Sequence, residues 1–365
     1  MRRFFNIGDI VSNYISAKEA AEKWNISKRR VSILASESRI NGAMMVGHTW
    51  IIPSNAEKPV DKRTVRYEKQ KTVTLKPFVK WVGGKGQLVD EIKKLLPSSS
   101  EKVLTKYAEP MVGGGALLFR ILQKYNFKEI YISDTNAELI NAYRVVQANV
   151  NGLIEKLSVM QTLFLAMDED GRKNFYYSVR EKFNSTALSA QTAIEKAAQF
   201  IFLNKTCFNG LYRVNRKGLF NVPMGAYKKP TICDEENLRN IHDALQNVTI
   251  VCGDYSFSKD FIDNETFAYF DPPYRPISET SAFTAYNSDV FDDEEQIRLS
   301  KFIDEINAKG AKIILSNSDP KNEQIDDNFF DELYKKYKIT RVEANRAINS
   351  KADKRGKINE LLICN

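Results

Sequence analysis

The sequence predicts an α/β protein in which a small N-terminal helical domain precedes a doubly wound sheet. In the long C-terminal part, short apolar runs alternate with helix-like segments. Four of those runs are followed by an acidic residue. A pair of short, capped helices near the N-terminus indicates the separate domain, and 365 residues are consistent with about two or three domains.

The composition is typical of a soluble globular protein, with 43% hydrophobic and 27% charged residues. No apolar run approaches the roughly 20 residues that span a bilayer, and Gly8-Asp9 stands where a secretory signal has its apolar core. The four cysteines are scattered and only two histidines are present. We therefore expect a cytoplasmic protein without a metal site.

Positive charge is concentrated in two zones of the chain. Residues 1–76 contain 15 Lys and Arg against 7 Asp and Glu, whereas the other 289 residues contain 39 of each. Within that balanced part, residues 205–229 contain six basic residues and no acidic one. Two basic zones predict two surfaces for a polyanion, although basic surfaces can also serve solubility alone.

The N-terminal domain begins with two predicted helices. Ser16 and Glu19 form a capping-box pattern, and Ser27 is placed to cap a second helix. Three cations open that second helix, at the end that enters a DNA groove in helix-turn-helix proteins: Lys28, Arg29 and Arg30.

Two apolar runs then flank Gly47-His48 and predict a small hairpin or wing. Over residues 14–58 the pattern resembles helix-turn-helix domains of the excisionase or MerR-like kind. We therefore predict a winged DNA-binding domain at 1–58, with a module that docks on protein as the alternative. Residues 59–76 are charged, lack a bulky apolar cluster and predict a linker.

From residue 77 onward the order of elements is strand, glycine turn, helix, strand and acid. Gly113-Gly114-Gly115 supplies the turn, and Asp134 follows about 20 residues later, after the strand at 129–133. That order is typical of a nucleotide-binding unit in which the acid holds ribose hydroxyls. No Gly-Lys-Ser/Thr phosphate loop accompanies it, which favours a nucleoside cofactor without a triphosphate.

Residues 151–200 carry apolar positions at helical spacing and predict a bundle of core helices. Their aromatic residues are expected in its core: Phe175, Tyr176, Tyr177 and Phe183. Further strands are predicted at 248–252, 267–270, 311–317 and 360–365. Binding sites in such sheets lie at the carboxyl ends of the strands, where the acids fall: Glu109, Asp134, Asp254 and Asp271.

Asp271-Pro272-Pro273-Tyr274 follows a strand and combines a carboxylate, a proline turn and an aromatic ring. Chemistry on a planar amine needs acceptors for the amine hydrogens and a ring that stacks on the base. Asp271 and the Pro272 carbonyl match the acceptors, and Tyr274 matches the ring. The alternative is a plain strand end with Asp271 as a turn former.

Four motifs in this order resemble the Dam-type DNA adenine methyltransferases of the alpha group, and the resemblance covers about residues 77–365. They are Lys80-Trp81-Val82-Gly83-Gly84-Lys85, residues 108–116, residues 204–213 with 220–223, and Asp271-Pro272-Pro273-Tyr274. The resemblance implies a Rossmann-like methyltransferase fold. Its catalytic domain would comprise 77–150 and 245–365, and 151–244 would be a helical target-recognition domain.

The resemblance also implies S-adenosylmethionine as the methyl donor and double-stranded DNA as the acceptor. Trp81 and Lys85 would lie beside the cofactor, Glu109 at its methionine end and Asp134 at its ribose. Asp254 and Tyr255 would border its adenine. Gly113 and Asp271 complete the implied cofactor site.

The segment that reads a GATC-type site in this family corresponds to five residues here: Phe208, Asn209, Leu211, Arg213 and Pro223. Arg213 would read a guanine, Phe208 would wedge beside a flipped base, and Lys80 would add a base or phosphate contact. Lys217-Gly218-Leu219-Phe220 replaces the frequent Arg-Gly-Glu-Phe, and Ala226 replaces a frequent arginine, so the exact recognition sequence stays open.

For the reaction we expect direct, in-line transfer to the adenine amine, with Asp271, Pro272 and Tyr274 as the catalytic residues. Related cytosine-amine enzymes more often have Ser in place of Asp271, and protein or RNA methylators more often have Asn. A transcription regulator with an idle methylase fold would also carry these elements, and so would an active methylase that doubles as a regulator. A cognate restriction endonuclease is a candidate partner, and the nucleoid is the expected location within the cytoplasm.

Overall fold

The computed structural model describes residues 14–59, 74–81, 88–95, 104–275, 291–345 and 357–365. The chain forms two compact units, Met1–Val73 and Thr74–Asn365. The division falls inside the segment predicted as a linker. Leu75, near the end of that segment, is already buried in the core of the second unit.

The described residues of the first unit form two helices and a three-stranded antiparallel sheet of order β1-β3-β2. In chain order its elements are β1 (Tyr14–Ser16), α1 (Ala17–Trp24), α2 (Lys28–Ser36), β2 (Met44–Val46) and β3 (Thr49–Pro53). The two helices and the hairpin are those that the sequence predicts.

Local hydrogen bonds begin both helices of this unit where the sequence indicates. The Glu19 N–H donates to Ser16 Oγ at 3.2 Å, and the Ser16 N–H donates to Glu19 Oε2 at 2.7 Å, which completes the capping box. The Arg30 N–H donates to Ser27 Oγ at 3.2 Å. Trp24 and Ile52 are among the residues that pack the small core, whereas the α2 residues Lys28 and Arg29 are exposed.

A seven-stranded sheet of order β6-β5-β4-β7-β8-β10-β9 forms the centre of the second unit. Its strands are β4 (Lys106–Glu109), β5 (Glu129–Asp134), β6 (Val248–Cys252), β7 (Thr266–Phe270), β8 (Lys312–Ser318), β9 (Lys338–Asn345) and β10 (Lys357–Cys364). The first five pair in parallel, and β10 pairs antiparallel with both β8 and β9. The parallel centre agrees with the predicted α/β class.

Helices cover both faces of this sheet. The described helices of the second unit are α3 (Val89–Leu95), α4 (Leu118–Lys124), α5 (Ala137–Ala148), α6 (Val150–Ala166), α7 (Glu169–Ser185), α8 (Ala193–Thr206), α9 (Glu235–Leu245), α10 (Asp293–Ala308) and α11 (Phe329–Leu333). Along β7, Phe267 and Tyr269 enter one apolar cluster, and Ala268 and Phe270 enter the other. This alternation places a core on each face, as a doubly wound sheet requires. None of the helices within the described ranges is long and apolar enough to cross a membrane.

The region 151–244 contains a hairpin-like excursion as well as helices. Isolated antiparallel bridges join Cys207 to Met224 and Val214 to Phe220. Gly218, with φ +75°, lies in the turn between the two arms. The helices α6, α7 and α8 occupy the positions that the apolar spacing predicts, and Tyr176 and Phe183 are buried among them. The two-armed excursion, called here the recognition hairpin (207–224), was not predicted.

Candidate active site

Three carboxylates lie at the carboxyl ends of adjacent parallel strands. Glu109 ends β4, Asp134 ends β5 and Asp271 directly follows β7. Because β4 is hydrogen-bonded to both β5 and β7, these three strand ends share one edge of the sheet. Sites in doubly wound sheets form at this edge.

Glu109 is buried, with 2% of its surface exposed. The Tyr107 hydroxyl donates a hydrogen bond to Glu109 Oε2 at 2.6 Å. Burial raises the pKa of Glu109 to about 8, the negative charge of Asp271 adds to the rise, and the Tyr107 hydrogen bond opposes it. The carboxyl group is therefore protonated more readily than that of an ordinary glutamate. It is also close enough to Asp271 for the two carboxyl groups to interact electrostatically.

The glycine turn after β4 is bonded to Asp134. The Gly113 N–H donates to Asp134 Oδ2 at 3.0 Å, and the Asn136 N–H donates to Oδ1 at 2.9 Å. Burial raises the pKa of Asp134, while these two N–H groups act against the rise. Asp134 thus orders the turn as well as ending its strand.

The indole of Trp81 packs on the same turn. A Cβ atom at Gly113 would lie 2.8 Å from Trp81 Cδ1, and one at Gly114 would lie 2.8 Å from Trp81 Cβ. Gly113 also has φ +49°, which an L side chain rarely adopts. The backbone of the turn, which has no side chains at its glycines, therefore lies between the Trp81 ring and the carboxylates of Glu109 and Asp134. These donors and acceptors fit a nucleoside with a charged amino-acid tail.

The segment after β7 is braced from several elements. The Ser316 hydroxyl, on β8, donates to Asp271 Oδ1 at 3.0 Å and is itself 2.8 Å from the Tyr269 hydroxyl. Pro272 is buried, and the Gln296 side chain donates to the Pro273 carbonyl at 3.2 Å. Asp271 is thereby held in one orientation at the strand end.

Tyr274 keeps 39% of its surface exposed. Its hydroxyl donates to the Glu360 carboxylate on β10, at 3.1 and 3.2 Å from the two oxygens. Arg275 follows and forms ion pairs with Asp293 and Asp327. The Tyr274 ring is thus fixed at its hydroxyl end and still accessible.

Asp254 and Tyr255 differ in accessibility. Arg298 donates two hydrogen bonds to the Asp254 carboxylate, at 3.0 and 2.8 Å. Burial favours a higher pKa for Asp254, but the bonds from Arg298 and Ser256 outweigh it and hold the pKa at about 2. Tyr255 is 2% exposed and packs on Phe302 with ring centroids 5.3 Å apart, so its ring belongs to the core.

The exposed ring nearby is Phe257, at 63% exposure. It covers Gly253, where a Cβ atom would overlap the Phe257 ring. The sequence favours Tyr255 for this place because it directly follows the acid at the strand end. A 3-10 turn at Tyr255–Ser258, capped by the Asp254 side chain, turns Tyr255 inward.

The recognition hairpin carries the residues expected to read DNA. Phe208 is 52% exposed and its N–H donates to the Pro223 carbonyl at 2.9 Å. Asn209 is exposed, with φ +54°, whereas Leu211 is half-buried. Phe208, Asn209 and Pro223 therefore share one exposed part of the hairpin base.

Arg213 lies further along the same hairpin and is exposed. Its Nε donates to Asn221 Oδ1 at 2.8 Å. Its two terminal nitrogens make no hydrogen bond to the residues that the structure describes. Asn221 thus orients the guanidinium and leaves the pair of nitrogens that can bond two guanine acceptors at once.

The remaining predicted site residues are Lys80, Lys85, Lys28, Arg29 and Arg30. Lys80 extends its ammonium over the Tyr227 ring, 3.9 Å from the centroid. Lys85 lies outside the described residues. Lys28, Arg29 and Arg30 belong to the first unit, at the beginning of α2. Across the described ranges, no group of three His, Cys, Asp or Glu side chains is arranged to hold a metal ion.

Several side chains that hold the site together were not predicted from the sequence: Ser316, Glu360, Gln296, Asn204 and Arg298. Each acts through a contact made far along the chain, such as the 45 residues between Ser316 and Asp271. Three of them had a usable signal in the sequence: Ser316 and Glu360 fall in the predicted strands 311–317 and 360–365, and Asn204 begins the motif at 204–213.

The same edge of the sheet lies within a match to a known family. The sequence profile of a family described as D12 class N6 adenine-specific DNA methyltransferase matches residues 81–348. The type II methyltransferase M.MjaIII of Methanocaldococcus jannaschii is 50% identical over 293 residues, which cover 80% of this chain and 99% of that protein.

Two further relatives agree with this match. The type II methyltransferase M1.LlaDCHI of Lactococcus lactis subsp. cremoris is 37% identical, covering 80% of this chain and 96% of its own length. A DNA adenine methylase of Haemophilus influenzae is 34% identical, covering 79% and 92%. All three alignments leave about a fifth of this chain without a counterpart, and the family match begins at Trp81.

Proposed function

The chain belongs to the family of D12 class N6 adenine-specific DNA methyltransferases, and we propose that it moves a methyl group from S-adenosylmethionine to an adenine flipped out of double-stranded DNA. One observation carries this proposal. Asp271 and Tyr274 follow β7, and the glycine turn that packs against Trp81 follows β4, which is the neighbouring strand. Ser316 holds the Asp271 carboxylate, and the Tyr274 ring is accessible. The groups proposed to bind the target adenine and those proposed to bind the cofactor therefore lie at the same edge of the sheet.

The cofactor cradle is proposed from the chain's own donors and acceptors. Trp81 and the bare turn at Gly113 would contact the nucleoside, and Asp134 would accept from ribose hydroxyls. Glu109 would face the ammonium of the methionine end. Phe257, as the exposed ring beside Asp254, is a better candidate than the buried Tyr255 to border the adenine.

Asp271 and the Pro272 carbonyl would accept hydrogen bonds from the target amine. The lone pair of that amine is delocalised into the purine, and acceptors on its hydrogens favour the tetrahedral geometry in which the pair becomes available. S-adenosylmethionine supplies a methyl group on a sulfonium leaving group. Asp271 need not be a strong base, because the amine becomes acidic as the new bond forms.

Positioning carries most of the expected rate enhancement. Ser316 fixes the Asp271 carboxylate, and Glu360 fixes the Tyr274 hydroxyl, so neither group needs to reorganise during the reaction. Preorganised groups of this kind contribute several kcal/mol each. Flipping costs a few kcal/mol, which stacking on Tyr274 would partly offset.

The proposed DNA surface is the recognition hairpin with Lys80. Phe208 would fill the place of the extruded base, and Arg213 would bond the O6 and N7 atoms of a guanine. The resemblance of residues 208–213 and Pro223 to the Dam recognition segment supports a GATC-type site. The first unit would add a second DNA surface through Lys28 and Arg29, which are exposed at the start of α2.

The names of two relatives as type II methyltransferases support a restriction endonuclease as a partner. Action on chromosomal DNA supports a cytoplasmic, nucleoid-associated location.

The proposal is tested with purified protein, labelled S-adenosylmethionine and duplex DNA, followed by analysis of the nucleosides. We expect the label in N6-methyladenine. Label in N4-methylcytosine would overturn the assignment of the target base, and the absence of label would overturn the activity.

A further inference from the structure

A buried asparagine joins the cofactor side of the second unit to the recognition hairpin. Asn204, near the end of α8, is 1% exposed. Its Oδ1 accepts from the Lys80 N–H at 2.7 Å, and its Nδ2 donates to the Lys80 carbonyl at 2.8 Å and to the Gly210 carbonyl at 3.0 Å. One side chain therefore fixes the backbone of two separate segments.

On the cofactor side, the fixed residue directly precedes Trp81. The Trp81 ring and its Cβ atom lie against the glycine turn, where added Cβ atoms would come within 2.8 Å. A molecule bound on that turn would contact Trp81, the residue that directly follows the peptide held by Asn204.

On the DNA side, the fixed residue closes the 3-10 turn at Phe208–Gly210. Gly210 has φ +64°, and a Cβ atom there would overlap the Lys80 side chain, so the two segments are in direct contact. The exposed Phe208 belongs to this turn.

A second contact runs beside the first. The Trp81 ring stacks on Tyr212, with centroids 5.7 Å apart and an interplanar angle of 21°. Tyr212 directly precedes Arg213. Gly210 and Tyr212 of the recognition hairpin therefore contact Lys80 and Trp81, respectively, and Trp81 packs on the glycine turn.

We propose that Asn204 is a positioning residue that couples occupancy of the cofactor site to the conformation of the recognition turn, so that bound cofactor tightens binding of the cognate duplex. This inference rests on the proposed function. Packed and hydrogen-bonded groups of this kind carry coupling free energies between sites, and such coupling is reciprocal. Cognate DNA should therefore tighten cofactor binding by the same factor.

The chain offers matched controls among other asparagines that fix a backbone residue in the same two-way manner. Asn237 accepts from the Lys76 N–H at 3.0 Å and donates to the Lys76 carbonyl at 2.9 Å. Asn184 accepts from the Phe220 N–H at 2.9 Å and donates to the Phe220 carbonyl at 3.0 Å. The first holds only the cofactor-side segment and the second only the hairpin.

The test measures binding of the full-length protein to an unmethylated duplex that contains the sequence it methylates, and to a scrambled duplex. Each is measured with and without S-adenosylhomocysteine, which cannot donate a methyl group. In the unaltered protein we expect the product analogue to tighten cognate binding by about 5- to 150-fold, the usual range of coupling. Asn204→Ala should reduce that factor to about twofold or less, whereas Asn237→Ala and Asn184→Ala should keep it.

Retained coupling in folded Asn204→Ala, or no coupling in the unaltered protein, would overturn the inference. If Asn204→Ala does not fold by circular dichroism, Tyr212→Leu removes the parallel contact and should lower the factor; an unchanged factor then counts against coupling through this junction. Methyl transfer is measured separately, so loss of the proposed activity and loss of coupling are distinguishable.

Discussion

At the scale of single residues, the proposed chemistry depends most on Asp271, a carboxylate whose orientation is set by Ser316. Asp271→Ala removes the acceptor and should abolish methyl transfer while leaving the protein folded. Asp263→Ala is the matched control, since this acid precedes the other end of β7 and pairs with Lys106 at 2.7 Å. A partly exposed pair of that kind contributes about 1 kcal/mol, so activity should persist. Labelled-methyl incorporation checks both variants, and transfer at the wild-type rate by Asp271→Ala would refute the role.

Glu109 predicts a pH dependence of stability. Its pKa is about 8 in the folded protein, chiefly because of burial, against an ordinary value of 4.5. Between these values the folded state binds more protons than the unfolded chain, so this group makes the free energy of unfolding fall as pH rises from about 5 to 8. The Glu109→Gln variant lacks this titration. Its free energy of unfolding should therefore rise relative to that of the wild type as pH increases over that range, by roughly 2–4 kcal/mol in total. Denaturant unfolding at several pH values measures the difference, and a difference that is constant with pH would contradict the assignment.

Arg213 predicts a loss of discrimination. Its guanidinium is oriented by Asn221 with the terminal nitrogens turned to no described residue. Arg213→Ala should lose about 1–3 kcal/mol of preference for the cognate duplex over a scrambled one. Arg216→Ala, nearer the hairpin turn, should weaken binding to both duplexes alike. Equal losses on the two duplexes for Arg213→Ala would indicate a phosphate contact.

At the scale of elements, the features that local chemistry determines were predictable. The Ser16–Glu19 capping box and the apolar strand before Asp271 depend on residues within a few positions of each other. The recognition hairpin depends on pairing between Cys207 and Met224, and no turn signal of the usual two-residue kind announces it. The strand β9 likewise becomes visible only through its antiparallel partner β10.

The candidate site divides in the same way. The acids at strand ends were found because their position follows from the doubly wound pattern. Tyr255 is buried because the 3-10 turn after Asp254 directs it into the core, and Phe257 takes the exposed position. Whether a side chain faces inward after a strand depends on the turn geometry, which four or five letters do not determine.

The glycine turn gives a prediction at this scale. Gly113→Ala would force a Cβ atom to 2.8 Å from Trp81 at φ +49°, so the turn and the indole must both shift. Calorimetric titration should show S-adenosylmethionine binding weakened by about tenfold or more, since the left-handed conformation alone costs roughly 1–2 kcal/mol. Gly310→Ala, with φ +85° after α10, should lose comparable stability and keep cofactor affinity. Equal cofactor affinity in both variants would contradict the proposal that the cofactor binds on the glycine turn.

At the scale of the whole molecule, the chain separates into two units, and the family match lies within the second. Deletion of residues 1–70 leaves the sheet, its helices and every described site residue of the second unit in place. The shortened protein should retain methyl transfer on short duplexes and lose part of its affinity for long DNA. Gel-shift and methylation assays on the same preparations test this, and loss of catalysis would make the first unit part of the enzyme.

The proposed methylation of adenine in double-stranded DNA depends on Asp271. Its most direct measurement is the sequencing of DNA for modified bases in cells that express the intact protein or Asp271→Ala. We predict N6-methyladenine within one short sequence, of GATC type, in the first case and none above background in the second. Methylated cytosine, or the same methylated adenines with both proteins, would contradict it.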